Sequence, residues 1–187
     1  SFKLPSFYTM WTPSLVMDGL IQGGADVLSK RAWFKEKKIT HVISLGANSP
    51  EFNFLDKLQI DLDDDPHSDL SPYFPECVRF IHRGRVNKGC VYVHCAAGRS
   101  RSSAITCAYL MSHLNWTYSQ ALDFLVRARP IACPNEGFAR QLKRFQKSDV
   151  KARLVRELED MENNEPKQDQ SPSGLTSVAA SPEQKIS

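Results

Sequence analysis

The run Cys90-Val-Tyr-Val-His94-Cys95-Ala-Ala-Gly98-Arg-Ser-Arg101-Ser102 decides the fold. Its first five residues read as a buried strand, and Ser102 to His113 reads as a buried helix. The joining segment, Cys95 to Arg101, is short, small and basic. Toward the N-terminus, Ile39-Thr-His-Val-Ile-Ser-Leu45 is rich in β-branched residues and bounded by Gly46, which predicts a second buried strand. Leu20-Ile-Gln-Gly-Gly24 predicts a short strand running into a glycine turn. Ala25 to Lys38 between them predicts a helix with a cationic end that suits its dipole. Strand, helix, strand is the start of an α/β fold.

Further elements extend the pattern. Leu58 to Ile60 predicts a short strand leading into the acidic stretch Asp61-Leu-Asp-Asp-Asp-Pro-His-Ser-Asp69. Ser71-Pro72 is a helix start, with Phe74, Cys77, Val78 and Ile81 on one face. Thr117 and Gln120 form a capping box for a helix to about Ala128, and Asn135 caps a helix with Phe138, Leu142 and Phe145 on one side. The spacing of Val150, Leu154, Leu158 and Met161 predicts a helix that continues or restarts to about Met161. From Glu162 onward, polar residues and proline predict disorder.

The chain has 187 residues, 41% apolar and 24% charged, enough for a normal core without disulfide or zinc staples. Its five cysteines, at 77, 90, 95, 107 and 133, include no close Cys-x-x-Cys pair, which favours a reducing compartment. The start, Ser1-Phe-Lys-Leu-Pro, lacks the pattern of a secretory signal, and no apolar run is long enough to span a membrane. A targeting segment upstream of Ser1 would not be visible. Residues 1 to 148 carry a net +6 and residues 149 to 187 a net −3, but the basic groups are scattered and not interleaved with aromatics. That argues against a nucleic-acid surface. The expected compartments are the cytoplasm, the nucleus or both.

A strand that ends in His94 and a loop that curls into a helix N-terminus make an anion nest of backbone N–H groups. Ala96, Ala97 and Gly98 let the backbone close around an anion, with Arg99 and Ser100 completing the loop. The amides and Arg101 would favour the Cys95 thiolate, making it a nucleophile. Arg101 can hold two phosphoryl oxygens with its planar fork. Ser102 could hydrogen-bond the sulfur and improve it as a leaving group, and His94 would order the loop through a neutral ring. A carboxylic acid must protonate the departing oxygen and later deprotonate water. By sequence alone Asp61, Asp63, Asp64, Asp65 or Asp69 would serve.

The run His94-Cys95-Ala-Ala-Gly98-Arg-Ser-Arg101-Ser102 resembles the signature of the protein tyrosine phosphatase superfamily. Asp64-Asp-Pro-His-Ser-Asp-Leu70-Ser-Pro-Tyr73-Phe74, Ala108-Tyr-Leu-Met111 and Arg129-Pro-Ile-Ala-Cys-Pro-Asn135-Glu-Gly-Phe138 make residues 13 to 147 similar to a small, atypical dual-specificity phosphatase catalytic domain. The resemblance implies a central twisted, mostly parallel sheet flanked by helices. It implies phosphotyrosine and phosphoserine or phosphothreonine hydrolysis on proteins through a phosphocysteine, without metal or cofactor. It also implies that the acid, six residues before Leu70, is Asp64. The expected organisation is an entry segment at 1–12, the catalytic domain at 13–147, a helical extension at 148–161 and a disordered tail at 162–187.

Phosphoproteins are the expected partners, with no nucleic acid and no membrane insertion. Two rivals differ in class. A non-protein phosphomonoester such as a lipid phosphate is one, although lipid-acting relatives usually carry a basic residue where Ala96 stands. A phosphoprotein-binding pseudophosphatase is the other, although Cys95, Arg101 and an aspartate are all in place. Asn135 reads as a cap that braces the loop. Cys90 reads as a structural thiol, with a protective disulfide to Cys95 as the alternative, and Cys77, Cys107 and Cys133 read as core or near-core residues.

Overall fold

The computed structural model describes residues 12–164. Five strands form one sheet in the order β1-β2-β5-β3-β4, where β1 is Ser14–Met17, β2 Leu20–Gly23, β3 Ile39–Leu45, β4 Asp56–Ile60 and β5 Cys90–His94. β1 pairs antiparallel with β2, and every other pairing is parallel. This is the mostly parallel α/β sheet implied by the sequence.

Alternation along β5 shows why the sheet needs cover on both faces. Val91 and Val93 enter the main core, whereas Cys90 and Tyr92 enter a second cluster with Ile21, Val27, Phe34 and Val42. Helix α1 (Arg31–Glu36) covers that second face through Phe34. The opposite face carries α2 (Phe74–Val86), α3 (Arg101–His113), α4 (Tyr118–Ala128), α5 (Glu136–Phe145) and α6 (Asp149–Asn163). Residues 101 to 112 of α3 are all buried, so this helix runs through the centre of the domain and fixes the loop that precedes it.

The helix caps follow the sequence. Thr117 Oγ1 accepts from Gln120 N while Gln120 Oε1 accepts from Thr117 N. Asn135 Oδ1 accepts from Phe138 N at 3.0 Å, and Ser148 Oγ accepts from Lys151 N at 3.2 Å. The Ser148 cap shows that α6 restarts after α5 instead of continuing it. Leu154 and Leu158 of α6 are buried in the main core. The helix runs two residues past Met161, to Asn163; the remainder of the 162–187 segment, from 165, lies outside the described residues, as do residues 1–11 of the entry segment.

Two elements differ from the sequence reading. The helix expected over 25–38 is a 3₁₀ turn at Ala25–Val27 followed by the short α1, because Ala25 N donates to Ala96 O at 3.0 Å and ties the first turn to the loop. β1 carried no signal: only Val16 of its four residues is buried, so no apolar alternation marks it.

Candidate active site

The loop from Cys95 to Ser100 leaves the end of β5 and enters α3 at Arg101. Four successive carbonyls of this loop are held outward by protein donors. Ala96 O accepts from Ala25 N, and Ala97 O accepts from Arg129 Nη2 at 3.4 Å. Gly98 O accepts from Arg129 Nε at 2.6 Å and from Gln22 Nε2 at 3.3 Å. Arg99 O accepts from Cys133 N at 2.8 Å and from Ser103 Oγ at 2.6 Å. In a planar trans peptide the C=O of one residue and the N–H of the next point in opposite directions. With the carbonyls of 96–99 turned out, the N–H groups of 97–100 turn in. That is an anion nest, reinforced by the N-terminus of α3.

Gly98 makes the curl possible. Its φ of +63° lies in the left-handed region, and an added Cβ would overlap the backbone of Gly23. Cys95 is 1% exposed at the base of the loop, with its Sγ 3.3 Å from Ser102 Oγ. Ala96 and Arg99 are exposed at the rim, and Ser100 is buried.

Arg101 is 9% exposed. Its Nη1 donates to Leu62 O at 3.0 Å and to Gly46 O at 3.2 Å, and its guanidinium fills the space where a Cβ on Gly46 would stand. Those bonds orient the group, while its buried Nε has no hydrogen-bond partner among the described residues. A donor held this way is ready for an anionic oxygen.

Among the five aspartates of the acidic stretch, Asp64 is the one whose carboxylate is bonded to the loop. Its Oδ1 accepts from Ser100 Oγ at 2.6 Å and from Asn135 Nδ2 at 2.9 Å, and its Oδ2 lies 3.9 Å from Arg101 Nε. Asn135 N in turn donates to Ser100 Oγ at 3.0 Å. Asp65 instead accepts from His67 N, and Asp69 from Ser71 N and Oγ. The Asn135 side chain therefore caps α5 with its oxygen and holds Asp64 with its nitrogen.

His94 is fully buried, its Nε2 2.7 Å from Ser44 Oγ and its ring stacked on Tyr92. Burial pushes its pKa down to about 4, so the ring is neutral near pH 7. Four supports escaped the sequence reading: Gln22, Ser44, Arg129 and Gln141. Arg129 is 1% exposed, and besides the loop carbonyls it reaches Thr12 O at 2.8 Å, tying α4 to the entry of β1. Gln141 Oε1 accepts from Leu70 N and Ser71 N, and its Nε2 donates to Ser68 O, which anchors the acidic stretch to α5. Signals existed for Gln22, a polar residue inside an apolar strand beside two glycines, and for Arg129, which opens one of the family-like runs.

The reading of Cys133 is corrected, whereas Cys90 is buried as a structural thiol and only its alternative disulfide falls away. Cys133 is exposed, because the turn after α4 places it at the surface, with its backbone spent on Arg99 O. Cys90 stands at the other end of β5 from Cys95, about 16 Å away at the rise of a strand, beyond the roughly 7 Å between Cα atoms that a disulfide tolerates. His82, His113 and Glu162 are the described residues whose ligand atoms come together, within 4.8 Å, as a metal site would require. They sit on α2, the far end of α3 and α6, remote from Cys95.

Residues 20–148 match the family model described as dual specificity phosphatase, catalytic domain. The chain belongs to the dual specificity phosphatase family. It is 37% identical over 141 residues to Dual specificity protein phosphatase 1 of Arabidopsis thaliana, covering 73% of this chain and 70% of that one. It is 35% identical over 142 residues to MAP kinase phosphatase with leucine-rich repeats protein 1 of Dictyostelium discoideum, covering 75% of this chain but 17% of that much longer protein. The fold superposes on the crystal structure of DUSP15 with a TM-score of 0.74 at 34% identity, covering 79% of this chain and 95% of that one. As a member of the cysteine-based protein tyrosine phosphatase superfamily, this dual specificity phosphatase domain presents the loop and acidic stretch together at the carboxyl ends of its parallel strands, where open α/β sheets bind ligands.

Proposed function

We propose that the domain hydrolyses phosphotyrosine and phosphoserine or phosphothreonine in proteins through a phosphocysteine at Cys95. The observation that carries the reading is the set of four outward carbonyls, which turns the amides of 97–100 toward the inside of the loop that Cys95 opens. The phosphoryl oxygens would sit on those amides and on Arg101. The Cys95 thiolate attacks phosphorus, the bond to the substrate oxygen breaks, and Asp64 gives that oxygen its proton. Asp64 then takes a proton from water as the water attacks phosphorus, and the sulfur leaves as thiolate. Ser102, 3.3 Å from the sulfur, stabilises it at that second step. Stabilising charge on oxygens fixed in advance is where such a site gains most of its rate.

The balance of atoms requires no metal or cofactor. Phosphate release from a phosphotyrosine and a phosphothreonine peptide, measured with EDTA for wild type and Cys95→Ser, tests it. Release by the wild type alone is the expected result. Release from a phosphoinositide panel well above that from peptides would overturn the protein-substrate reading, and capture of phosphopeptides without release would replace catalysis with binding. For compartment we propose the cytoplasm, the nucleus or both, supported by five free thiols; imaging of the tagged chain tests that.

A further inference from the structure

The phosphate loop has a second neighbour besides the acidic stretch. β2 and β3 flank β5 in the sheet, and the segments leaving them, residues 24–29 and 46–52, both begin against the loop. Ala25 N is bonded to Ala96 O, and Gly46 lies against the Arg101 guanidinium. Between these segments runs an open cleft of about 590 Å³. It lies on the α1 face of the sheet, away from Asp64 and Asn135, which come from the side of α2 and α5.

The cleft has an apolar floor of Ala25, Leu28, Pro50 and Phe52, with Ser29, Asn48 and the carboxylate of Glu51 on its rims. The floor is rigid. Leu28 and Phe52 pack on the second core cluster, Phe52 meets Phe34 edge-on at 5.3 Å, and Phe54 stacks on Phe52 with Arg31 above both rings. An apolar surface that is both accessible and preorganised beside a site for a charged group suits a ligand with one charged and one greasy part. A peptide supplies that combination. One residue advances the chain by about 3.8 Å, so a side chain one to three residues from the phosphorylated one reaches across Ala25 into the cleft.

We propose that this cleft is a substrate subsite that takes a large apolar side chain flanking the phosphorylated residue. The inference rests on the phosphatase reading and adds a sequence preference to it. Leu28 and Phe52 supply the contact, Asn48 and Ser29 set the width of the opening, and the loop itself remains indifferent to the flanking residue.

The test uses substitutions that fill the cleft from its exposed rims and leave the core intact, Ser29→Trp and Asn48→Trp. Turnover is measured on p-nitrophenyl phosphate, which has no flanking residue, and on phosphopeptides in which leucine or glycine occupies each of the three positions on either side. The wild type is expected to prefer leucine over glycine at one of these positions by roughly tenfold in kcat/KM, the scale of a partly buried leucine. Both variants should lose that preference while hydrolysing p-nitrophenyl phosphate at the wild-type rate. A wild type indifferent to leucine, variants that keep the preference, or variants equally impaired on p-nitrophenyl phosphate would each overturn the subsite. Failure of the wild type to hydrolyse p-nitrophenyl phosphate would instead sink the phosphatase reading, and the subsite with it.

Discussion

Asp64 shows how much one side chain depends on neighbours far away in sequence. Five aspartates compete in the acidic stretch, and what separates them is a hydroxyl 36 residues on and an amide 71 residues on. Asp64→Ala is expected to lower kcat by about 10²- to 10⁴-fold, with the largest loss for substrates whose leaving oxygen is most basic. A series of aryl phosphates checks this, since an unchanged dependence on leaving group would move the acid elsewhere. Arg101→Lys keeps the charge but cannot bond Leu62 O and Gly46 O while also presenting a fork to the phosphoryl group. Its kcat should fall by about 10²- to 10³-fold, with peptide KM rising, and steady-state kinetics on one phosphopeptide resolve both numbers. Cys95→Ser should show no turnover and still bind the phosphopeptide, as fluorescence anisotropy would report.

At the scale of elements, the sequence was most informative where a pattern is local. β3 and β5 stand out as runs rich in β-branched and apolar residues because the sheet is covered on both faces, and the capping box of α4 is written in four consecutive residues. The loop was equally legible, since its strand, small residues and helix start are contiguous. Its support was not. Gln22 and Arg129 reach Gly98 O across 76 and 31 residues, and nothing in periodicity reports such a bond. The break in the 25–38 segment has the same origin, because a bond to Ala96 overrides helical propensity. Arg129→Met tests the weight of that support. It strips donors from two loop carbonyls, and a lost buried bond of this kind costs about 1–3 kcal/mol. The melting temperature should fall and kcat should fall with it. A variant as active as wild type would show that the loop keeps its shape without Arg129.

Across the whole molecule, two cores meet at one sheet, and the histidines built into them make stability a function of pH. Burial pushes His94 down to about 4 from an ordinary 6.5, and it lowers His41 as well. Above pH 6.5 these rings are neutral in both the folded and unfolded chain, so they contribute no slope. As the pH falls from 6.5 toward 4 the unfolded chain takes up protons that the folded one refuses, and folding weakens. Below about 4 the folded His94 is protonated too and its contribution levels off. For His94 a shift of this size corresponds to on the order of 3 kcal/mol. Most carboxylates ionise lower, which leaves the window from 6.5 to about 4.5 to the histidines. Urea unfolding at pH 7.5, 6.0 and 4.8 is expected to show the midpoint dropping through the window. In His94→Asn the drop should shrink, because the amide carries no proton to exclude while it can still meet Ser44. A drop of equal size in that variant would place the pH response in other groups and would mean that His94 is not held neutral by the fold.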